Sequence, residues 1–171
     1  KEVAQENPRK LRFLLRDLAV SSNALAFEYT GYLANISSVK SYYDANMDML
    51  DPQKFYSLFY SNQNVYTKVK NEESTYFDAN STVKNSQFAS GSIVKGSVNH
   101  SIISRNCYID ENTSVANSII FPKVKVGKGA TVENAIVDKG VVIAPGVTIR
   151  GTKEEPLVIA KATEIVEDVI Q

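Results

Sequence analysis

From residue 83 the sequence repeats itself, and the period limits what the chain can build. Four segments beginning at Val83, Val98, Val115 and Val132 share one template: apolar, variable, amide or histidine, small, variable, apolar. Their starts lie 15, 17 and 17 residues apart. Between them sit hexads rich in turn residues that begin at Ile109, Val126 and Ile143, again 17 apart. A period of this length, walked in steps of five or six, describes a coil with three short sides. Ile109, Val126 and Ile143 form one inward column; Val98, Val115, Val132 and Ile149 a second; Ile103, Ile120 and Val137 a third. Columns of β-branched residues stack when each coil hydrogen-bonds to the next at about 4.8 Å, which is a parallel β-helix. Asparagine and glycine suit the corners because they tolerate left-handed backbone, and small residues such as Ser118 and Ala135 permit tight turns. One coil cannot bury its own inner face, so both ends need covers.

The 171 residues are enough for about one domain, or one domain and part of another. Nineteen basic and nineteen acidic residues cancel, so no global cationic field recruits nucleic acid or anionic lipid, and neither is expected as a partner. No apolar run approaches the ~18 residues of a membrane span. Cys107 is the single cysteine, which rules out an intrachain disulfide and favours a reducing, cytoplasmic setting.

The region before the repeats follows another pattern. The chain opens at Lys1 rather than methionine and reads as a piece of something longer. Asn7-Pro8 can cap a helix on which Leu11, Leu14, Leu15 and Leu18 share one face. Ala24 to Tyr29 has the apolar and aromatic content of a strand leading to Gly31. Ser37 or Ser38 can cap a second helix carrying Val39, Tyr42, Tyr43, Asn46, Met47 and Leu50, which Asp51-Pro52 interrupts. Phe55, Leu58 and Phe59 form a smaller apolar cluster. These signals divide the chain into an α/β segment over 1–60, a linker over 61–76, the β-helix over 77–150 and a charged cap or tail over 151–171.

Few residues carry a signal for chemistry. His100, the single histidine, occupies the column of Asn85, Asn117 and Asn134, so it is expected at a corner rather than as a general base. A three-histidine metal site of the β-helix carbonic anhydrase type is beyond this composition. Gly127-Lys128-Gly129 could suggest a phosphate cradle, but its place in the repeat makes it a corner. Cys107 sits beside Tyr108 without a nearby general base or metal partner in sequence and is expected to be buried. Tyr29, Tyr32, Tyr42 and Tyr43 are not interleaved with basic residues, so they are read as packing and interface residues.

The segment Gly31-Tyr32-Leu33-Ala34-Asn35-Ile36-Ser37-Ser38, followed by a helix carrying Tyr43, Ala45, Asn46 and Leu50, resembles the Gly-Tyr-Trp-x-Asp-Val-Gly-Thr, helix, Tyr-x-x-Ala-Asn-x-x-Leu signature of sugar-phosphate nucleotidyltransferases. With repeats immediately after it, residues 24 to about 150 resemble the C-terminal half of the bacterial glucose-1-phosphate adenylyltransferase family. That resemblance implies a mainly β fold: a left-handed β-helix of hexapeptide repeats after the remnant of an α/β nucleotidyltransferase domain. The left hand comes only from the resemblance. It also implies an N-terminal domain that binds ATP and Mg²⁺, with no cofactor in the present segment, and a β-helix that mediates oligomer contacts.

The departures from the signature matter as much. Asn35 stands where the family has an active-site aspartate, Leu33 where it has tryptophan and Ser37 where it has glycine. A neutral amide cannot supply the carboxylate charge that complements a divalent cation. The motif at Gly31, Tyr32, Leu33, Asn35 and Ser37 therefore looks decayed and no catalytic residue is assigned, as in the non-catalytic D-type subunit of that family. The expected function is regulatory support of ADP-glucose synthesis for glycogen, in homo- and hetero-oligomers with the catalytic subunit. Two rivals remain at this stage. One is a hexapeptide-repeat acyltransferase using His100; the other is a regulatory subunit of a related sugar-nucleotide pyrophosphorylase.

Overall fold

All three aliphatic columns stand inside one stack of coils. The computed structural model describes residues 10–60 and 65–171. The chain divides into two compact units, the first ending at Gly31 and the second running from Tyr32 to Gln171.

In the second unit three parallel sheets form the sides of a coil. Sheet A contains Tyr76–Phe77, Ile93–Val94, Tyr108–Ile109, Lys125–Val126, Val142–Ile143 and Glu164–Ile165. Sheet B contains Thr82–Lys84, Ser97–Asn99, Ser114–Ala116, Thr131–Glu133, Thr148–Arg150 and Val169–Ile170. Sheet C contains Gln87–Phe88, Ile102–Ile103, Ile119–Ile120, Ala135–Val137 and Leu157–Ile159. Each strand pairs with the one a full coil away, so Val132 sits between Val115 and Ile149, and Val126 between Ile109 and Ile143. The column residues from Val98 to Ile149 are at most 1% exposed. Each such burial contributes roughly 1.5–3 kcal/mol, gained only because the next coil supplies the other wall.

The corners have the backbone that the amides suggested. Asn85, His100, Asn117 and Asn134 have φ between 42° and 49°, and Asn106 and Asn112 stand at 57°. Gly129 has φ of 72°. A Cβ on Gly127 would lie 2.7 Å from the Pro145 nitrogen and 2.8 Å from the Ile143 carbonyl oxygen, so this glycine permits a close approach of the next coil. The small residues form a hydrogen-bonded ladder. Ser118 Oγ donates to the Ala116 carbonyl at 2.7 Å and accepts the Ala135 N–H at 3.2 Å, while Ser101 Oγ accepts the Ser118 N–H at 3.1 Å.

The stack continues beyond the expected boundary at residue 150. The segment read as a cap over 151–171 supplies strands to all three sheets, with Val137 paired to Ile159, Ile143 to Ile165 and Ile149 to Val169. The repeat is hidden because these partners lie 22, 22 and 20 residues apart, the chain making an excursion after Arg150. Gly151 permits that exit, since a Cβ there would stand 2.4 Å from the Leu157 nitrogen. At the opposite end Phe77 and Phe88 meet edge to face at 5.1 Å, and Val83 remains 41% exposed on the first coil. Residues 73–75 open the first coil, where the Glu73 carbonyl accepts the Gly91 N–H and Thr75 Oγ1 donates to the Ala89 carbonyl.

Three helices precede the coils. Helix α1, Leu11–Ser21, belongs to the first unit and has no buried residue. Asn7 and Pro8 lie outside the described residues. No strand forms over Ala24 to Tyr29, where one was expected: among the described residues no sheet includes this segment, and Leu25 and Phe27 are almost fully exposed, because a strand exists only by hydrogen-bonding to a neighbouring strand. Helix α2, Val39–Met47, begins at Ser38, whose Oγ accepts the Ser41 N–H while Ser41 Oγ accepts the Ser38 N–H, a reciprocal cap. A 3₁₀ turn, Asp48–Leu50, leads to α3, Pro52–Phe59, which Asp51 caps and Pro52 opens.

The helices α2 and α3 fall in the same compact unit as the coils, so the division lies at Gly31 rather than at residue 60. Tyr43 packs with Ile119 and Ile136 on the outer face of sheet C, and Tyr42, Met47 and Phe121 complete the cluster. Gln87 Nε2 donates to the Met49 carbonyl at 2.6 Å. The expected linker over 61–76 falls partly outside the described residues.

Candidate functional site

The signature residues of the second unit are mostly exposed. Gly31 closes the first unit, while Tyr32 to Ser37 begin the second. Leu33 is 83% exposed, and Asn35 and Ser37 face solvent. Tyr32 is half-buried, and its hydroxyl donates to Asp48 Oδ2 at 3.1 Å. Burial and the neighbouring Asp48 carboxylate raise the Tyr32 pKa. Asp48 also accepts from Lys54 Nζ at 2.5 Å, which raises the lysine's pKa in turn. Ser37 donates its N–H to Ser41 Oγ at 2.9 Å, so the residue in the glycine position serves the entry to α2.

A groove of about 1070 Å³ opens between the 48–54 turn and the corner column. Its walls include Asp44, Asp48, Lys54, Asn85, His100 and Lys153. The acids are already engaged, because Lys40 pairs with Asp44 and Lys54 with Asp48. His100 Nδ1 lies 2.8 Å from Asn85 Nδ2, a contact between successive corners. The helical wall is tied to the corner by Tyr43, whose hydroxyl donates to the Asn117 carbonyl at 2.6 Å. Burial pushes the Tyr43 phenol up to about 12, so it remains a neutral donor. His100 was legible as a corner residue, but the groove beside it was not. It is made by α2 and the turn returning over the coils, which the repeat does not encode.

Cys107 is buried, and its thiol donates to the Phe121 carbonyl at 3.2 Å. Desolvation pushes its pKa up to about 11, away from the thiolate that a nucleophile needs. Lys128, between its two glycines, pairs with Glu111 on the preceding coil at 3.0 Å. Among the described residues no group of three or more His, Cys, Asp and Glu can hold a metal ion, and no buried side-chain nitrogen or oxygen lacks a partner. No helix among them is long and apolar enough to cross a membrane. Among the described residues the arrangement offers closed hydrogen-bond networks.

Comparison with known proteins places the coils. The GlmU-like C-terminal hexapeptide family matches residues 68–164. The chain belongs to that family. Among similar proteins, the glycogen biosynthesis protein GlgD of Bacillus subtilis (strain 168) is 38% identical over 135 residues, covering 79% of this chain and 39% of GlgD. The glucose-1-phosphate adenylyltransferase of Bacillus mycoides (strain KBAB4) is 32% identical over 101 residues, covering 59% of this chain and 27% of the enzyme. That of Mycoplasma mobile is 30% identical over 94 residues, covering 55% and 25%. The chain thus spans about two fifths of GlgD and about a quarter of the adenylyltransferases.

Proposed function

We propose that this hexapeptide chain is the C-terminal part of a regulatory, non-catalytic subunit that supports glucose-1-phosphate adenylyltransferase in glycogen synthesis. The observation that carries the reading is the 38% identity to GlgD over 79% of the chain, a protein whose name ties it to glycogen biosynthesis. Asn35 supports the non-catalytic part of it, since an exposed neutral amide stands in the position of the family's aspartate. The complex with the catalytic subunit would convert ATP and glucose 1-phosphate to ADP-glucose and pyrophosphate in the cytoplasm, with ATP and Mg²⁺ bound outside the present segment. The coils would act as the assembly surface, because their flat outer faces present regular side-chain columns to a partner.

The test combines the full-length protein with its catalytic partner and measures pyrophosphate release and co-elution. The reading expects no turnover by the protein alone, a stable complex, and a changed rate in the mixture. Absence of a complex together with an unchanged rate would remove it.

A further inference from the structure

The helices before the coils rest on the stack through a narrow seat. In the arm over 38–59, α2 buries Tyr43, the 3₁₀ turn buries Leu50 and α3 buries no residue. The Tyr43 ring packs with Ile119 and Ile136 in a cluster separate from the aliphatic core inside the coils. Open space adjoins this seat at two places. The groove of about 1070 Å³ lies between the 48–54 turn and the corner column. A second cavity of about 480 Å³ opens among Val39, Tyr42, Phe121, Ile136 and Val158. The segments on either side of the arm, 24–37 and 65–75, join no sheet among the described residues.

Neither helix would persist away from the coils. Helix α2 has nine residues and α3 eight, and isolated helices below about 12–15 residues are marginal in water. Once Tyr43 leaves Ile119 and Ile136, the bond from Gln87 Nε2 to the Met49 carbonyl still ties the turn to the coils. One hydrogen bond contributes too little to hold it there. The helices and the turn therefore leave together. The coils do not need them in return, because each inner column is walled by the coils before and after it.

We infer that residues 38–59 form a latch, with Tyr43 as its catch, which opens from sheet C as one unit while the coils stay folded. Opening uncovers Ile119, Ile136 and Phe121 on the outer face of that sheet and frees the Asn117 carbonyl at the corner. The segment with the signature residues shares in the motion, because the Tyr32 hydroxyl donates to Asp48 in the turn of the latch. A ligand or partner that prefers one state shifts the balance between the two. This motion does not depend on the assembly role proposed above.

Native-state hydrogen exchange of the full chain in rising urea tests it. Amides of α2 and α3 should share one opening whose urea dependence is smaller than that of the central coils, because it exposes less surface. Tyr43→Phe removes the bond to Asn117 and should speed exchange in both helices together about ten-fold. Val132→Ala weakens the coils and leaves the latch contacts in place. It should speed exchange in the strands Ser114–Ala116 and Thr148–Arg150 about ten-fold or more while α2 and α3 stay unchanged. An arm with the urea dependence of the coils, an arm that speeds up with them in V132A, or an arm indifferent to Y43F would each overturn the latch. So would exchange in α2 that proceeds independently of α3.

Discussion

The hydroxyl of Tyr43 donates to the carbonyl of Asn117 across 2.6 Å, joining α2 to a corner of the coil stack 74 residues away in sequence. The donor is buried and the acceptor belongs to a residue with left-handed backbone. Tyr43→Phe keeps the ring against Ile119 and Ile136 but leaves that carbonyl without the phenol, which should cost about 1–3 kcal/mol in urea denaturation. The same contact sets a pH dependence. Folding favours the neutral phenol, so its contribution is fully present below the ordinary tyrosine pKa of 10.0 and is lost as the pH rises toward about 12. Stability of the wild type should therefore fall through this window more steeply than that of Y43F. Equal slopes would show that Tyr43 does not contribute.

Adjacent positions on one strand should respond very differently to charge. Val132 is fully buried between Val115 and Ile149, and an aspartate there has no partner in the core. Val132→Asp should cost at least about 3 kcal/mol or prevent folding. Its neighbour Glu133 pairs with Arg150 at 2.9 Å on an exposed face. Glu133→Lys should cost no more than about 1 kcal/mol. Chemical denaturation of the two variants provides the comparison, and similar losses would contradict the inward column.

Asn112 isolates the effect of the corner backbone. It is exposed with φ of 57°, so replacing it alters little besides the conformational preference. Asn112→Gly should stay within a few tenths of a kcal/mol, whereas Asn112→Val should lose about 1–2 kcal/mol because a β-branched residue resists left-handed backbone. Thermal melts of both variants check the difference in sign and size.

The serine ladder predicts a loss that its small volume change would not suggest. Ser118→Ala removes the acceptor of the buried Ala135 N–H and the donor to the Ala116 carbonyl. The cost should be about 1–3 kcal/mol by denaturant titration, with faster amide exchange at Ala135. Unchanged exchange there would mean that the ladder does not hold the turn.

The aliphatic core could be read from the sequence because a coil contacts mainly the coil before and the coil after it. The spacing of Val98, Val115, Val132 and Ile149 was therefore enough to identify their partners, and the amides around His100 marked the corners. Cys107 is buried and Gly129 has left-handed backbone, as the repeat led one to expect of a core thiol and a corner. Where the period lapses, that logic ends. Val169 lies 20 residues beyond Ile149 and Ile165 lies 22 beyond Ile143, so the last coil resembled a tail.

The sequence by itself determined the register of the inner columns, since hydrophobic residues at a fixed interval have one way to share a dry axis. Only the tertiary structure decided that Tyr43 lies on sheet C and that a groove opens beside His100. Those features depend on contacts between segments with no common period. For such pairs the gain from burial depends on where the backbone returns, and no local pattern of side chains specifies that. Leu25 and Phe27 show the converse: a strand-like composition that joins no sheet among the described residues leaves both side chains exposed.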